Sequence, residues 1–369
     1  MRQARAAVCR AYGEPLSIED IELDDPQDGE VVVRLAATSI CGSDVHLLKG
    51  EWNWAGSLPV VAGHESAGVV EAVGRAVPNV TPGDRVVLSL LRACGSCRAC
   101  RRGWSWICTG SFAHTAPGRV RLADGSPVTL GLATAGFAEL ALVHHTQVVR
   151  VPNELPLDRA ALLACGVITG FGAAVNRARV RPGESVVVIG TGGVGLNALQ
   201  GASTCGGYPI VAIDVSEEKL RLALEFGATH TFPATADDLP RSVRALTDRG
   251  ADHVLIAVGA ETAVRAGFDM LGPRGNLVIV GLPASGTTLT VPIDRFTFDE
   301  RTITGTSMGT TRLSSDVPML AELYLHGRLE LDKLITNRYP LDQVNEAIAD
   351  FSAGQSVRNV IVFDEPNGG

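Results

Sequence analysis

Two groups of residues have types and spacings that could do chemistry. The first is Cys94, Cys97, Cys100 and Cys108, a Cys-x2-Cys-x2-Cys-x7-Cys run dense enough for one loop to wrap a tetrahedral ion. Four thiolates leave no open coordination position, which describes a structural zinc site. A disulfide pair or an iron–sulfur centre would use the same residue type. A reducing compartment disfavours the pair, and the spacing is unlike the usual cluster-binding runs. The second group is Gly190-Thr191-Gly192-Gly193-Val194-Gly195, a glycine pattern that follows an apolar run and opens a stretch of small residues. The pattern alone says little, because glycine-rich turns are common, but its context fits a dinucleotide site. Gly190 allows the turn, Gly192 lets a pyrophosphate approach the backbone amides, and Gly195 permits close packing of helix on sheet. Asp214 ends the next apolar run, where a carboxylate can accept hydrogen bonds from both adenosine ribose hydroxyls and would repel a 2′-phosphate. Glu217 and Glu218 follow and no arginine appears before Arg221, so NAD is favoured over NADP.

These groups require two kinds of scaffold. Up to about residue 160 the chain shows short β runs, Val31 to Leu35, Ala67 to Val73, Arg85 to Leu88 and Phe137 to Val143, cut by glycine, proline and aspartate. The rhythm then changes. Ser185 to Ile189, Ile210 to Ile213, His253 to Val258, Leu277 to Val280 and Arg301 to Thr304 are apolar runs, several separated by helical patterns, as buried parallel strands with crossover helices require. One such helix is capped by Ser216, carries Glu217 and Glu218 at its positive end, and presents Leu220 and Leu224 as an apolar face before Gly227. A helix over Val344 to Phe351 and a strand over Asn359 to Phe363 close the chain.

The length of 369 residues exceeds the roughly 100 to 200 of a typical domain, so two domains are expected. A formal charge of -8 argues against nucleic acid as a partner, since the one dense basic run, Arg98 to Arg102, lies inside the cysteine cluster. The start places Tyr12, Gly13, Glu14 and Pro15 where a secretory signal needs continuous apolar residues, and no apolar run approaches the ~20 residues of a membrane span. The expected location is the cytoplasm, with no membrane partner.

Gly63-His64-Glu65 with Gly68 and Gly74 completes an ordered set with the cysteine run and the late glycine fingerprint. With these motifs the chain resembles the zinc-dependent alcohol dehydrogenases of the medium-chain dehydrogenase/reductase superfamily. That resemblance implies an α/β fold: a GroES-like, β-rich catalytic domain over 1–166 and 308–369, and a doubly wound Rossmann coenzyme domain over 167–307. It implies hydride transfer between an alcohol and NAD, and pairing of subunits into a homodimer or homotetramer. It also implies two zinc ions per chain, the catalytic one held by Cys41, His64 and Cys165, matching Cys41-Gly42-Ser43-Asp44, the Gly-His-Glu motif and Cys165-Gly166-Val167-Ile168-Thr169-Gly170. Two thiolates and one imidazole leave an open position, and alcohol dehydrogenase is itself the usual example of a catalytic zinc with that ligand set. By the same resemblance Asp44 orients the zinc-bound imidazole, Glu65 approaches the metal during ligand exchange, and Ser43 and His46 carry the alcohol proton towards solvent. Thr169, Lys219 and Arg358 would contact the coenzyme, Lys219 near the adenosine ribose and Arg358 near the pyrophosphate.

Two departures stand out. Gly42 follows the zinc cysteine where some relatives carry a basic pyrophosphate contact, and the segment Thr109 to Ala135 is longer than in compact bacterial members. Leu90 suggests an apolar pocket wall. The rival substrate is a thiol–formaldehyde adduct, and the rival outside enzymes is a zinc-stapled NAD-binding sensor. Retention of Cys41, Ser43, His46, His64 and Cys165 favours chemistry.

Overall fold

The computed structural model describes residues 1–52 and 57–364. The chain forms two compact units, Met1–Cys165 with Arg312–Gly369, and Gly166–Thr311. The sequence places the second junction at 307/308, and the terminal residues 365–369 of that assignment lie outside the described residues. Residues 308–311 pack with the second unit. Thr311 Oγ1 donates to the Ile168 carbonyl at 3.2 Å, and a Cβ on Gly309 would lie 2.2 Å from that same oxygen.

In the first unit, strand Glu30–Ser39 is the hub. It pairs antiparallel with Glu65–Val73, Leu140–His144 and Arg358–Val362. Its β-branched run alternates faces, as the two-residue period of a strand demands. Val31, Val33 and Leu35 enter one core with Leu88 and Val143, while Val32 enters the other with Val8, Val61 and Phe137. The last strand also runs parallel to Ile335–Pro340, so the two ends of the chain share one sheet. The Phe137 to Val143 run is not one strand. Ala138 bridges Ala6, the Phe137 carbonyl accepts from Ala7, and pairing with Glu30–Ser39 starts only at Leu140, because the segment crosses from one sheet to the other.

The second unit is a six-stranded parallel sheet. Val186–Ile189 lies between Ile210–Asp214 and Ala251–Ile256, and the sheet continues to His230–Pro233 on one side and to Leu271–Ile279 and Thr302–Gly305 on the other. Numbered within the unit, this order is 3-2-1-4-5-6, that of a doubly wound dinucleotide fold with its switch point beside the first strand. Ser216 caps helix Glu217–Glu225 by accepting from the Lys219 amide. The buried face of that helix is Leu220 and Ala223, whereas Leu224 is 49 % exposed. The expected Leu220/Leu224 stripe is therefore corrected to an i, i+3 pair continued by buried Phe226.

Candidate metal and coenzyme sites

Sheet register gathers the reactive residues. Ser39 pairs with Glu65, and Glu65 with Ser89, whose hydroxyl donates to the Ala164 carbonyl at 2.6 Å. Cys41 lies just past the first of these strands and caps helix Gly42–Leu48, His64 precedes the second, and Cys165 follows Ala164. As a result one ligand atom from each of Cys41, His64, Glu65 and Cys165 lies within 4.8 Å of the others, with all four residues buried. Zinc bonds of ~2.0–2.3 Å place tetrahedral ligands roughly 3.3–3.8 Å apart, so small adjustments would close this set on an ion.

Asp44, fully buried, organises the group. Its carboxylate accepts from His64 Nδ1 at 2.9 Å, from the Gly63 amide at 2.9 Å and from the Cys41 amide at 3.1 Å. With Nδ1 donating to Asp44, Nε2 is the nitrogen left to face an ion, which would displace any proton there, and it is buried without a hydrogen-bond partner. An imidazole fixed in this way fits a metal ion. Burial works to lower the His64 pKa, but Asp44 and Cys41 together outweigh it and hold it well above the ordinary value. The bond from Cys165 draws Cys41 well below a normal thiol, and the same bond, with burial, pushes Cys165 up. Burial raises Glu65 to about 8 against the pull of Arg358, whose Nη2 lies 3.6 Å away. Arg358 itself is buried, and the structure places its guanidinium beside Glu65 in the first unit.

Ser43 and His46 lie three apart on helix Gly42–Leu48, the spacing that sets two side chains on one face. His46 Nδ1 is 2.5 Å from Glu51 Oε2, and its ring stacks on Trp52 with centroids 5.4 Å apart. Glu51 is not visible to sequence reasoning. It lies beyond the helix end, where no periodicity links it to His46.

Cys94, Cys97, Cys100 and Cys108 also bring their sulfurs within 4.8 Å of one another. The Cys97 and Cys108 sulfurs are 3.9 Å apart, close to a tetrahedral edge. Backbone amides point at the sulfurs: Cys97 N–H to Cys94 at 3.3 Å, Cys100 N–H to Cys97 at 3.4 Å, and the Cys94 and Gly110 N–H groups to Cys108, each at 3.3 Å. Such donors stabilise thiolates, and the Cys100 amide draws Cys97 to about 5. Burial pushes Cys100 up to about 12, so this thiol must lose its proton when an ion binds.

In the second unit, Gly190 turns with φ +89°, and Gly192 caps helix Gly193–Thr204. A Cβ on Gly195 would meet the Gly190 carbonyl at 1.8 Å, whereas one on Gly192 would meet nothing within 4 Å. The helix start is thus tightly packed behind and open in front, as a pyrophosphate needs. Val194, partly exposed, follows Gly193 in the first turn. Asp214 Oδ2 accepts from the Thr191 amide at 2.6 Å and its hydroxyl at 2.9 Å, and Oδ1 accepts from Ser216 N–H at 3.0 Å. Of about four acceptor sites on a carboxylate, one therefore stays free on Oδ1, one fewer than two ribose hydroxyls would use. Lys219, partly exposed, stands on the following helix. Buried Thr169 contacts Met308, its Oγ1 lying 3.7 Å from the sulfur.

A β-rich unit with a Cys/His cluster, joined to a doubly wound nucleotide-binding unit, defines a medium-chain oxidoreductase. Residues 27–153 match the alcohol dehydrogenase GroES-like domain, and residues 193–325 the zinc-binding dehydrogenase family. The NDMA-dependent alcohol dehydrogenase of Amycolatopsis methanolica is 40% identical, over 98% of this chain and 99% of that protein. Among solved structures, an alcohol dehydrogenase zinc-binding domain protein from Burkholderia ambifaria has a TM-score of 0.94 at 36% identity, covering 99% of this chain and 100% of that one. Benzyl alcohol dehydrogenase from Acinetobacter calcoaceticus has a TM-score of 0.92 at 32% identity, with coverage of 99% and 100%. The chain belongs to the zinc-dependent alcohol dehydrogenase family of the medium-chain dehydrogenase/reductase superfamily and is an oxidoreductase. No helix among the described residues is long and apolar enough to cross a membrane.

Proposed function

We propose that this enzyme reversibly oxidises an alcohol to an aldehyde or ketone, with NAD taking the hydride, one zinc ion at Cys41, His64 and Cys165, and a second at the four-cysteine lobe. The observation that carries the reading is the unpartnered, buried Nε2 of His64 amid two buried thiols. A zinc ion held there would act as a Lewis acid on the substrate oxygen. Asp44 keeps the imidazole in the tautomer that leaves Nε2 available. Ser43 Oγ accepts the alcohol proton, and His46 passes it outward, with Glu51 at 2.5 Å holding the ring in place. Glu65 and Arg358 form a buried pair at this cluster, and Glu65 would be the carboxylate available to a zinc ion during ligand exchange. Gly190 to Gly195, Asp214 and Lys219 bind NAD, Asp214 by the one acceptor site that Thr191 and Ser216 leave on Oδ1.

A second reading comes from the name of the Amycolatopsis relative, an NDMA-dependent alcohol dehydrogenase: here too NDMA would be the acceptor that sustains turnover. Assaying alcohols, carbonyl compounds and thiol–formaldehyde adducts with NAD, NADP or NDMA as acceptor separates the cases. Turnover of simple alcohols with NAD supports the main reading. Activity only with NDMA, only with the adducts, or with none of them replaces it. A homodimer or homotetramer completes the proposal. Ile293 and Phe298, 79% and 85% exposed, precede the edge strand Thr302–Gly305 in the chain and support it, and sedimentation velocity tests it. The eight free thiols suit a cytoplasmic setting.

A further inference from the structure

The Cys/His cluster accounts for the reacting end of a substrate and leaves its far end unassigned. The same unit holds a cavity of about 710 Å³ with walls from Leu90, Leu91, Trp106 and Leu132 and, among the described residues, a single cation, Arg92. Its size falls within the roughly 300–1,000 Å³ of small-molecule sites. No carboxylate lines it among the described residues.

Two of its walls are tied to the cluster. Leu90 follows Ser89, which pairs with Glu65 and donates to the carbonyl preceding Cys165. Leu132 and Ala133 belong to a turn in which Thr134 Oγ1 and the Gly136 amide donate to the Gly63 carbonyl at 2.7 and 2.8 Å, one residue before His64. Leu132, Ala133 and Ala135 all adopt positive φ there, a strained backbone of the kind that gathers at binding sites.

Arg92 is half-buried, with its guanidinium 5.2 Å from the Phe112 ring centroid and Nη1 buried without an acceptor. No carboxylate pairs with it among the described residues. A half-buried guanidinium with no carboxylate partner and an open cavity beside it can take an anion from outside the chain.

We propose that this cavity receives the far end of the substrate and selects alcohols with an apolar body and a carboxylate, the carboxylate being held by Arg92. This rests on the alcohol-oxidising reading, and the test separates the two. With metal-loaded enzyme, kcat/KM is compared for ω-hydroxyoctanoate against octanol and for ω-hydroxyhexanoate against hexanol. The acid should be preferred in at least one pair by about tenfold or more, the scale of one charge-assisted contact. Arg92→Met should remove that preference by raising KM for the acids towards that of the matched neutral alcohols, and Arg92→Lys should keep part of it. Ser57→Glu, at an exposed lining position, should depress only the acids and leaves Arg92 in place should the Met variant not fold.

Decanoate binding by calorimetry reads the site without turnover. If no alcohol is oxidised, the function fails as proposed, yet decanoate binding that weakens about tenfold in Arg92→Met still supports the site. Cys108 also lines the cavity, so the competing role for Arg92 is to balance the thiolates. Zinc loss in Arg92→Met with the acid preference intact, or no preference and no decanoate binding in the unsubstituted enzyme, overturns the proposal.

Discussion

Replacing Asp44 tests whether one carboxylate holds the reactive cluster together. It is fully buried and accepts three bonds of 2.9, 2.9 and 3.1 Å, from the imidazole of one ligand, from the amide before it and from the amide of another. Asp44→Ala leaves three buried donors unsatisfied at about 1–3 kcal/mol each, and partial relaxation brings the total to roughly 4 kcal/mol. That is a large part of the 5–15 kcal/mol typical of a folded domain. Asp44→Asn keeps the shape. Its amide oxygen can still serve Gly63 and His64, but its NH₂ then faces the Cys41 amide, so one bond and the charge are lost, at a cost of about 2 kcal/mol. Metal affinity should fall by about 10- to 100-fold in both variants, because His64 loses its charged orienting partner. Urea unfolding gives the stability changes, provided that the slope with denaturant is unchanged. Elemental analysis after dialysis against graded chelator gives the metal affinity. An Asp44→Asn protein with the original midpoint and the original zinc retention would refute this account of how the cluster is positioned.

The four-cysteine lobe should answer differently: Cys108→Ser should lower the unfolding midpoint with little direct effect on chemistry, while Cys165→Ser should abolish turnover and spare the fold. No more than one zinc per active chain by elemental analysis would remove the two-site reading. Burial holds His114 down to about 4 from an ordinary 6.5. Its folded-state pKa is depressed, so the stability it contributes is present above about pH 6.5 and is lost as pH falls towards about 4, reaching roughly 3 kcal/mol. His114→Gln should flatten the unfolding free energy across that window, and an unchanged slope would show that His114 is protonated in the folded protein. Asp214→Gly should weaken NAD about tenfold or more and narrow its advantage over NADP, measured as the two KM values. His46→Gln should lose more activity near pH 7 than near pH 9, where hydroxide replaces the relay, and added imidazole should restore part of it. Equal loss at both values without rescue would send the proton by another path.

What the sequence makes legible depends on how strongly each segment is biased by its own residues. The hub strand is visible because Val31 to Leu35 is a run of β-branched and apolar residues, and the central parallel strands for the same reason. The first strand, Arg2–Cys9, is not, since its arginines and alanines carry no strand propensity and it is fixed by pairing with Ser17–Leu23, with Val60–Val61 and at Ala138. Leu224 reads as core-facing when it is not, because Ala223, which the core prefers there, gives almost no hydrophobic signal. In the sites, cysteine spacing and the glycine pattern are local and can be read directly. The Glu65–Arg358 pair is separated by most of the chain and exists only once the last strand joins strand Glu30–Ser39. The capture of Asp214 by Thr191 likewise depends on two neighbouring parallel strands ending side by side.

The turn that grips the Gly63 carbonyl limits how this enzyme's substrate range can change. Gly131 and Gly136 at its ends have no room for a side chain: a Cβ would lie 2.6 Å from the Val61 carbonyl in one case and 2.3 Å from Ser66 Oγ in the other. Lengthening or rerouting this loop would pull on His64, so the loop insertions by which many enzymes diversify are closed to this wall. Leu132 between them keeps a half-buried side chain facing the cavity on a backbone that its neighbours already fix. Variation in cavity shape at this wall is therefore confined to side-chain exchange, and on the substrate-binding role proposed for the cavity a library restricted to Leu132 and Leu90 would sample new specificities without disturbing the Cys/His cluster.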